Sequence, residues 1–245
     1  MRRVSDDPLS WLLQLEGVPS AFAAARDGID AVLRDRGLRR TSPETTAESL
    51  LRGAHASAVL EGSGSTLAQV REGEADAVAA DAVRLSTELL GLAPLLGRAP
   101  LQAFARLHAV AAAGTLPAEE LGRPRSADAA TRLRDLAGLL TRPTAVPAMM
   151  VAAVVHAELM IVAPFPSHNG VIARAAERLV LVQRGVDEKS LTVPEAGHLA
   201  LRAQYESNLR GFREGGDAGV HSWLLYAAEA FAAGAEASPL RRDAV

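Results

Sequence analysis

The 245-residue sequence contains no cysteine. This absence excludes disulfide bonds, thiolate nucleophiles and cysteine-ligated metal sites. Aromatic residues are also scarce, at 4% of the chain. No stretch approaches the ~18 consecutive apolar residues that a membrane-spanning helix requires. We therefore expect a soluble, cytoplasmic protein that does not act at a membrane.

Lysine is nearly absent as well: Lys189 is the only one, although lysine and arginine together number 26 against 29 acidic residues. The net charge of -3 gives no electrostatic reason to expect nucleic acid as a partner. The arginines between residues 123 and 142 are interleaved with Asp128 and Asp135, and no aromatic residue accompanies them. This pattern is typical of a solvated helix face, so we expect no nucleic-acid binding.

Apolar residues make up 49% of the chain, and the abundant alanine and leucine favour helices. The apolar residues recur at helical spacing between glycine and proline breaks, and no strand-type alternation occurs. We predict an all-α fold, with Pro43 and Pro147 in or before first turns and Thr66 as an N-cap. The predicted helices cover residues 10–39 (interrupted near 17–19), 41–61, 66–70, 76–96, 101–113, 128–140, 147–162, 171–184, 194–212 and 219–234.

One stretch carries most of the functional information: residues 163–174 read Ala-Pro-Phe-Pro-Ser-His-Asn-Gly-Val-Ile-Ala-Arg. An Asn-Gly pair directly before a helix places free backbone N–H groups at the positive end of the helix dipole, where an anion binds well. Arg174 lies near the start of that helix, where a cation is unfavourable by ~0.3–1 kcal/mol unless an anion lies beside it. An ordinary Asn-Gly turn is the alternative explanation.

The stretch resembles the active-site motif of the Fic (Fido-fold) family, His-Pro-Phe-x-(Asp/Glu)-Gly-Asn-Gly-Arg-x-x-Arg. Members of that family typically transfer AMP from ATP to a protein hydroxyl, with Mg²⁺ on the phosphates. The resemblance covers about residues 90–235 and implies a Fido-like helical fold with an N-terminal helical extension. It also implies a loop-shaping role for the two matching residues Pro164 and Phe165. The other matching residues, implied to bind phosphate, are Asn169, Gly170 and Arg174.

Four positions depart from that motif. Ala163 replaces the catalytic His and Ser167 replaces the metal-binding acid, while His168 replaces a glycine and Val171 replaces the first Arg. General-base assistance is typically worth ~10²–10⁴ in rate, and a neutral hydroxyl is a poor substitute for a carboxylate that holds Mg²⁺. These departures argue against ordinary AMP transfer and leave open whether the chain is an enzyme.

A second motif, Ser57-Ala58-Val59-Leu60-Glu61-Gly62, is similar to the inhibitory-helix signature (Ser/Thr)-x-x-x-Glu-(Gly/Asn) of many family members. Ser57 and Glu61 are i and i+4 on one helix and so share a face. The resemblance implies that Glu61 contacts Arg174 and blocks the productive position of the ATP γ-phosphate. A serine four residues before a Glu-Gly helix end also occurs by chance.

We accordingly divide the chain into an N-terminal helical extension with the inhibitory-type helix (1–75), a Fic/Fido-like core (76–236) and a flexible tail (237–245).

Three functional hypotheses follow. The first is a protein without AMP transfer whose loop binds phosphate or nucleotide, with ATP and Mg²⁺ as the implied ligands, in a regulatory or scaffold role. The second is an atypical nucleotidyl- or phosphotransferase that modifies protein hydroxyls with His168 as base. The third is a structural interaction module without ligand, which a His168 side chain placed over Gly170 would favour. An unidentified protein partner and a homodimer are compatible with all three.

The remaining histidines give little support for a zinc site. His55, His108, His156, His198 and His221 lie far apart in the sequence and form no His-x-x-x-His pair. We predict that His156 is a core histidine whose nitrogens are hydrogen-bonded. We therefore predict no metal site.

Overall fold

The computed structural model describes residues 7–35 and 42–241. In that part of the chain the regular structure is entirely helical, with no β-strand, which confirms the predicted all-α class. Short 3-10 helices lie at Ser10–Gln14, Leu90–Leu92 and Pro239–Arg241. The α-helices are α1 (Val18–Asp35), α2 (Pro43–Leu60), α3 (Leu67–Glu72), α4 (Ala77–Leu89), α5 (Ala93–Arg98), α6 (Pro100–Ala111), α7 (Ala127–Thr141), α8 (Ala148–Val162), α9 (Asn169–Gln183), α10 (Pro194–Ala200), α11 (Arg202–Glu214) and α12 (Gly216–Glu236).

Helix α8 lies at the centre of the molecule and contacts α7, α9, α11 and α12. It is apolar around nearly its whole circumference, as expected for a helix that is surrounded by others. It has 15 residues, and no helix in the described part of the chain is long and apolar enough to cross a membrane. The predicted start at Pro147 is confirmed, since this residue is the N-cap of α8.

Several predicted helix starts are explained by their capping residues. Pro43 begins α2 directly after Ser42, where its missing N–H has no intrahelical partner to lose. Thr66 caps α3 in a reciprocal pair with Gln69: its Oγ1 accepts the Gln69 N–H, and the Gln69 side chain accepts the Thr66 N–H. The end of the predicted helix 10–39 lies outside the described residues.

Two predicted helices are each divided in the structure. The predicted helix 76–96 becomes α4, a 3-10 turn and α5, because Pro94 has no N–H to donate to Leu90 and its ring crowds the preceding turn. The predicted helix 194–212 becomes α10 and α11, with a non-helical Leu201 (φ -108°, ψ 31°) between them. This turn lets α10 lie directly against α12 while α11 directs Tyr205 into the core.

Helix α2, which carries the inhibitory-type motif, packs against α4, α9 and α10. The motif lies at its end, because Glu61 is the C-cap residue. Helix α9 begins with the Asn-Gly pair, so the fold brings the end of α2 to the start of α9. Helix α1 packs instead against α12.

Candidate functional site

The loop that joins α8 to α9 has a left-handed backbone at both ends. Ala163 has φ 41° and ψ 62°, and His168 has φ 59° and ψ 15°. A non-glycine residue costs roughly 1–2 kcal/mol in this conformation. Contacts elsewhere in the loop must therefore stabilise it.

Those contacts come from the loop itself and from its neighbours. The Asn169 side chain accepts from the Phe165 N–H and donates to the Phe165 carbonyl, both at 2.9 Å. The Phe165 ring is buried and stacks on His108, with ring centroids 4.5 Å apart and planes 5° apart. The Arg125 N–H donates to the Pro164 carbonyl at 2.8 Å. Asn169 therefore fixes the loop with its side chain while its backbone begins the helix.

The start of α9 presents backbone donors to the end of α2. The first hydrogen bond within the helix runs from the Ile172 N–H to the His168 carbonyl, so the N–H groups of residues 169–171 have no partner in the helix. The Glu61 carboxylate lies directly over Gly170, where a Cβ atom would overlap it. A carboxylate of the chain itself therefore occupies the place where the sequence analysis expects an anion.

Arg174 lies beneath that carboxylate and is almost fully buried. Its Nη2 donates to Glu61 Oε1 at 2.6 Å and to the Ser57 carbonyl at 3.2 Å. Its Nε donates to Ser57 Oγ at 2.9 Å, and its Nη1 donates to the Tyr205 hydroxyl at 3.1 Å. Burial alone would lower the pKa of Arg174, but Tyr205 and Glu61 outweigh it and raise that pKa above its ordinary value. The guanidinium is a fixed positive charge with every nitrogen engaged.

The residues that replace the family's catalytic groups have ordinary surroundings. Ala163 is half-buried and has no proton acceptor. Val171 is buried and lines a small apolar space between α2, α4 and α9 with Leu50 and Leu85. Val171 therefore packs in the core and contributes no charge to the anion-binding position.

His168 lies between Ser167 and an acidic residue that the sequence analysis did not single out. Its Nδ1 is 2.7 Å from Ser167 Oγ, and its Nε2 is 2.9 Å from Asp81 Oδ2 on α4. The third hypothesis placed His168 over Gly170, but Glu61 is the side chain found there. Burial would raise the pKa of Asp81, but hydrogen bonds from His168 and Arg84 outweigh it and lower that pKa. Asp81 is thus an ionised acceptor for the imidazole.

A buried polar network continues from Arg174 into the core. The Tyr205 hydroxyl, which accepts from Arg174, lies 2.9 Å from His156 Nε2 and therefore donates to it. His156 Nδ1 then carries a proton and lies 3.1 Å from Glu177 Oε1. The other oxygen of Glu177 is 2.8 Å from His198 Nε2. His198 Nδ1 in turn lies 2.7 Å from the Tyr226 hydroxyl.

The charges of this network follow from its burial. Burial lowers the pKa of His156 to about 4, although the Glu177 carboxylate acts to raise it. Burial would raise the pKa of Glu177, but the two histidines outweigh it and lower that pKa to about 2. Burial also raises the pKa of Tyr205 to about 12. At neutral pH, Glu177 is therefore ionised while His156 and Tyr205 are neutral.

His156, Glu177 and His198 also form the one group of three His, Asp or Glu side chains within residues 7–35 and 42–241 whose potential ligand atoms lie within 4.8 Å of one another. His156 is a core histidine, as predicted, with no exposed surface; its Nε2 is hydrogen-bonded to Tyr205, but its Nδ1 lacks a hydrogen-bond partner although Glu177 Oε1 lies 3.1 Å away. The spacing argument was wrong about their separation, because α8, α9 and α10 bring the three residues together. Two tyrosine hydroxyls already engage the outer nitrogens of the histidines. The hydrogen bond from Tyr205 to His156 positions Tyr205 and, through it, Arg174.

Sequence reasoning missed Asp81, Glu177 and Tyr205 as members of the site. The sequence gives no indication that Asp81 belongs to the site, since a single acidic residue on a helix is common. The sequence does give an indication for Glu177. This residue lies among apolar residues of α9, and a buried charged residue requires a partner.

Comparisons with known proteins agree with the helical fold described above. No protein-family model matches the chain, and no curated protein matches it. A Fic family protein from Desulfovibrio desulfuricans G20 has a similar structure, with a TM-score of 0.71 at 17% identity, over 89% of this chain and 73% of that one. Fic-1 (residues 134–508) from C. elegans is similar with a TM-score of 0.68 at 19% identity, over 94% and 73% of the two chains. The chain therefore has the all-α Fic/Fido fold.

Proposed function

We propose that this chain is a Fic-like protein that binds the phosphates of a nucleotide at the start of α9, under the control of its own Glu61. In this proposal the protein does not transfer AMP in the manner expected of the family. It serves a regulatory or scaffold role that depends on whether the site holds Glu61 or a nucleotide.

One observation supports the proposal above the others: the Glu61 carboxylate lies over Gly170 and contacts Arg174 at 2.6 Å. The guanidinium of Arg174 holds this carboxylate, and together with the N–H groups at the start of α9 it would also hold a phosphate. Removal of Glu61 would leave the buried charge of Arg174 without its anion. A phosphate group would then compensate it.

The side chain of Glu61 is suited to withdrawal. It is 32% exposed and lies at the C-cap of α2, where only the last turn of that helix must rearrange. The guanidinium is held by Ser57 and Tyr205 as well. Arg174 would therefore keep its position after Glu61 had moved.

The residues present do not fit a Mg²⁺ site of the kind that the fold implies. Ser167 offers a neutral hydroxyl at the position of the acid. The nearby carboxylate of Asp81 is already paired with Arg84 and hydrogen-bonded to His168. Mg²⁺ in nucleotide sites is usually held by one or two free carboxylates. We therefore propose binding that depends on the nucleotide phosphates and little on the metal.

Calorimetric titration with ATP, with and without Mg²⁺, tests this proposal. We expect ATP to bind the Glu61→Gly variant at least about tenfold more tightly than the original chain, a difference of about 1.4 kcal/mol. The control is Glu72→Gly, which removes the same charge from an exposed position at the end of α3 and should leave the affinity unchanged. The double variant Glu61→Gly, Arg174→Ala should lose the gain. Absence of ATP binding in both the original chain and Glu61→Gly would support a structural module instead.

The hydrogen bond between His168 and Asp81 favours a second candidate function, transfer of a nucleotidyl or phosphoryl group to a protein hydroxyl with His168 as base. Incubation of Glu61→Gly with labelled ATP and a cell extract tests it. Transfer to other proteins that disappears in Glu61→Gly, His168→Ala would establish this function. Equal labelling by the two variants would exclude it.

A further inference from the structure

Ser167, His168 and Asp81 form a continuous hydrogen-bonded line beside the start of α9. Ser167 Oγ lies 2.7 Å from His168 Nδ1, and His168 Nε2 lies 2.9 Å from Asp81 Oδ2. The Asp81 carboxylate is itself fixed, since it also contacts Arg84 and accepts from the Thr115 hydroxyl at 3.1 Å. The imidazole is mostly buried, with 13% of its side chain exposed.

The donor in each hydrogen bond of this line follows from the atoms that can only accept. An ionised carboxylate can only accept, so His168 Nε2 carries the proton that is donated to Asp81. In the neutral form of the ring, His168 Nδ1 then offers a lone pair to which the Ser167 hydroxyl donates. A serine that donates to an imidazole whose other nitrogen is held by a carboxylate has the arrangement of an activated nucleophile.

The neighbouring groups favour a phosphorus centre as the target of that nucleophile. Ser167 precedes the helix whose N–H groups at residues 169–171 have no partner in the helix. Arg174 adds a positive charge one turn further on. Together they would hold the negatively charged oxygens of a phosphoryl group.

We propose that Ser167 is a nucleophile, with His168 as its base and Asp81 as the residue that positions His168, and that it accepts a phosphoryl group from an activated phosphate donor such as a phosphoanhydride. The Oγ–P bond forms while the bond from phosphorus to the leaving oxygen breaks, and that oxygen keeps the electron pair. The hydroxyl proton passes to His168 Nδ1 and from there to the leaving oxygen. The proposal rests on the proposed function in one respect, since the donor's oxygens would occupy the position of Glu61.

A fluorophosphonate carrying a fluorophore is the probe for this nucleophile. Its reaction with Ser167 forms the Oγ–P bond and releases fluoride, and the proton passes to His168. We expect labelling of the Glu61→Gly variant, located at Ser167 by peptide mass spectrometry. Ser167→Ala in the same background should abolish it, and His168→Asn should reduce its rate by about a hundredfold or more. The control Ser207→Ala, at an exposed serine on α11, should label as before.

The role of Asp81 needs a readout that a structural role would not change. The titratable groups near His168 are Asp81 of α4, which is itself paired with Arg84, and His108 of α6. Asp81→Asn removes the acceptor that fixes the tautomer. We expect it both to slow labelling and to shift the pH at which the labelling rate is half-maximal.

Two outcomes would overturn the proposal: no labelling of Glu61→Gly, or equal labelling of Glu61→Gly and Glu61→Gly, Ser167→Ala. Thermal unfolding shows whether each variant is folded, so loss of structure is separable from loss of the nucleophile. ATP binding without fluorophosphonate labelling would contradict this proposal and leave the proposed function standing. Labelling without ATP binding would contradict the proposed function and leave the proposed nucleophile standing.

Discussion

Arg174 and Arg178 lie one turn apart on α9, and both are buried, yet their carboxylate partners differ. Arg178 makes a two-point contact with Glu195, from Nε to Oε1 at 2.9 Å and from Nη2 to Oε2 at 2.6 Å. Glu195 is itself buried. Arg174 makes a single contact with Glu61, whose side chain is 32% exposed. The first pair is closed to solvent, whereas the second is open on its carboxylate side.

The two pairs otherwise repeat the same arrangement. Each arginine also donates to a serine of α2: Arg178 to Ser49 Oγ at 3.2 Å and Arg174 to Ser57 Oγ at 2.9 Å. Each pair also lies close over a glycine, Gly53 on α2 or Gly170 on α9. Helix α2 therefore contacts α9 at two points, of which one lies at an ion pair closed to solvent and the other at an ion pair whose carboxylate is partly exposed.

Substitution of Arg178 by Ala should have the largest effect. It would leave Glu195 buried without a partner, and loss of one member of a buried ion pair typically costs ~3–5 kcal/mol. Urea unfolding should show this loss in the free energy of unfolding. As a control, Arg178→Met with Glu195→Met should recover part of it, because no uncompensated charge remains. A loss below about 1 kcal/mol for Arg178→Ala would mean that the two pairs do not differ.

Acid should weaken the fold through the network that fixes Arg174. Below pH 6.5 the unfolded chain protonates His156, whereas the folded protein does so only near pH 4. The unfolded state binds more protons in this window, so the free energy of unfolding falls as the pH falls from 6.5 to about 4. Glu177 acts in the same direction at lower pH, because the stability it contributes is present above 4.5 and is lost as the pH falls towards about 2. The combined effect is of the order of a few kcal/mol.

Urea unfolding at pH 7 and at about pH 5 measures this effect. His156→Phe should be less stable at pH 7, since Tyr205 and Glu177 lose a partner, but its stability should change less between the two pH values. If the variant and the original chain have the same pH dependence, His156 is not the group that titrates. The pH dependence would then give no evidence that the buried network supports Arg174.

Gly53→Ala should have an intermediate effect. A Cβ at this position would lie 2.6 Å from Arg178 Nη2 and 2.7 Å from Glu195 Oε2. Both groups are buried and hydrogen-bonded to each other, and overpacking of this kind typically costs ~1–3 kcal/mol. The same urea experiment measures the loss. Gly28→Ala on α1, where a Cβ would meet no atom within 4 Å, is the matched control and should be neutral or slightly stabilising.

The sequence was sufficient to predict the helices but not most of the contacts between them. Apolar periodicity and the breaks at glycine and proline identified the positions of α2, α8 and α9, because these signals are local. Division of the predicted helix 76–96 was missed, although Pro94 lies within it. The division at Leu201 had no local signal, since it follows from how α10 and α11 pack.

The site residues likewise include some that the sequence identified and others that depend on packing. The motif resemblance singled out Glu61 and Arg174, which are 113 residues apart in sequence and which no local pattern would join. Asp81 and Glu177 have no such motif, and their partners are fixed only when α4, α8, α9 and α10 assemble. Buried charges of this kind can be suspected from sequence, but their partners depend on tertiary packing.

The smallest effect on stability is expected at the open pair, and it is the most informative for function. Gly170→Ala would place a methyl group against the Glu61 carboxylate, which can move towards solvent because it is partly exposed. The free energy of unfolding should change by less than about 1 kcal/mol, since the partly exposed Glu61 carboxylate can shift while Arg174 keeps its bonds to Ser57 and Tyr205 and alanine is the better helix former. If Gly170→Ala instead destabilised the protein as much as Gly53→Ala, the Glu61 carboxylate would be fixed rather than exchangeable, and a nucleotide could not replace it.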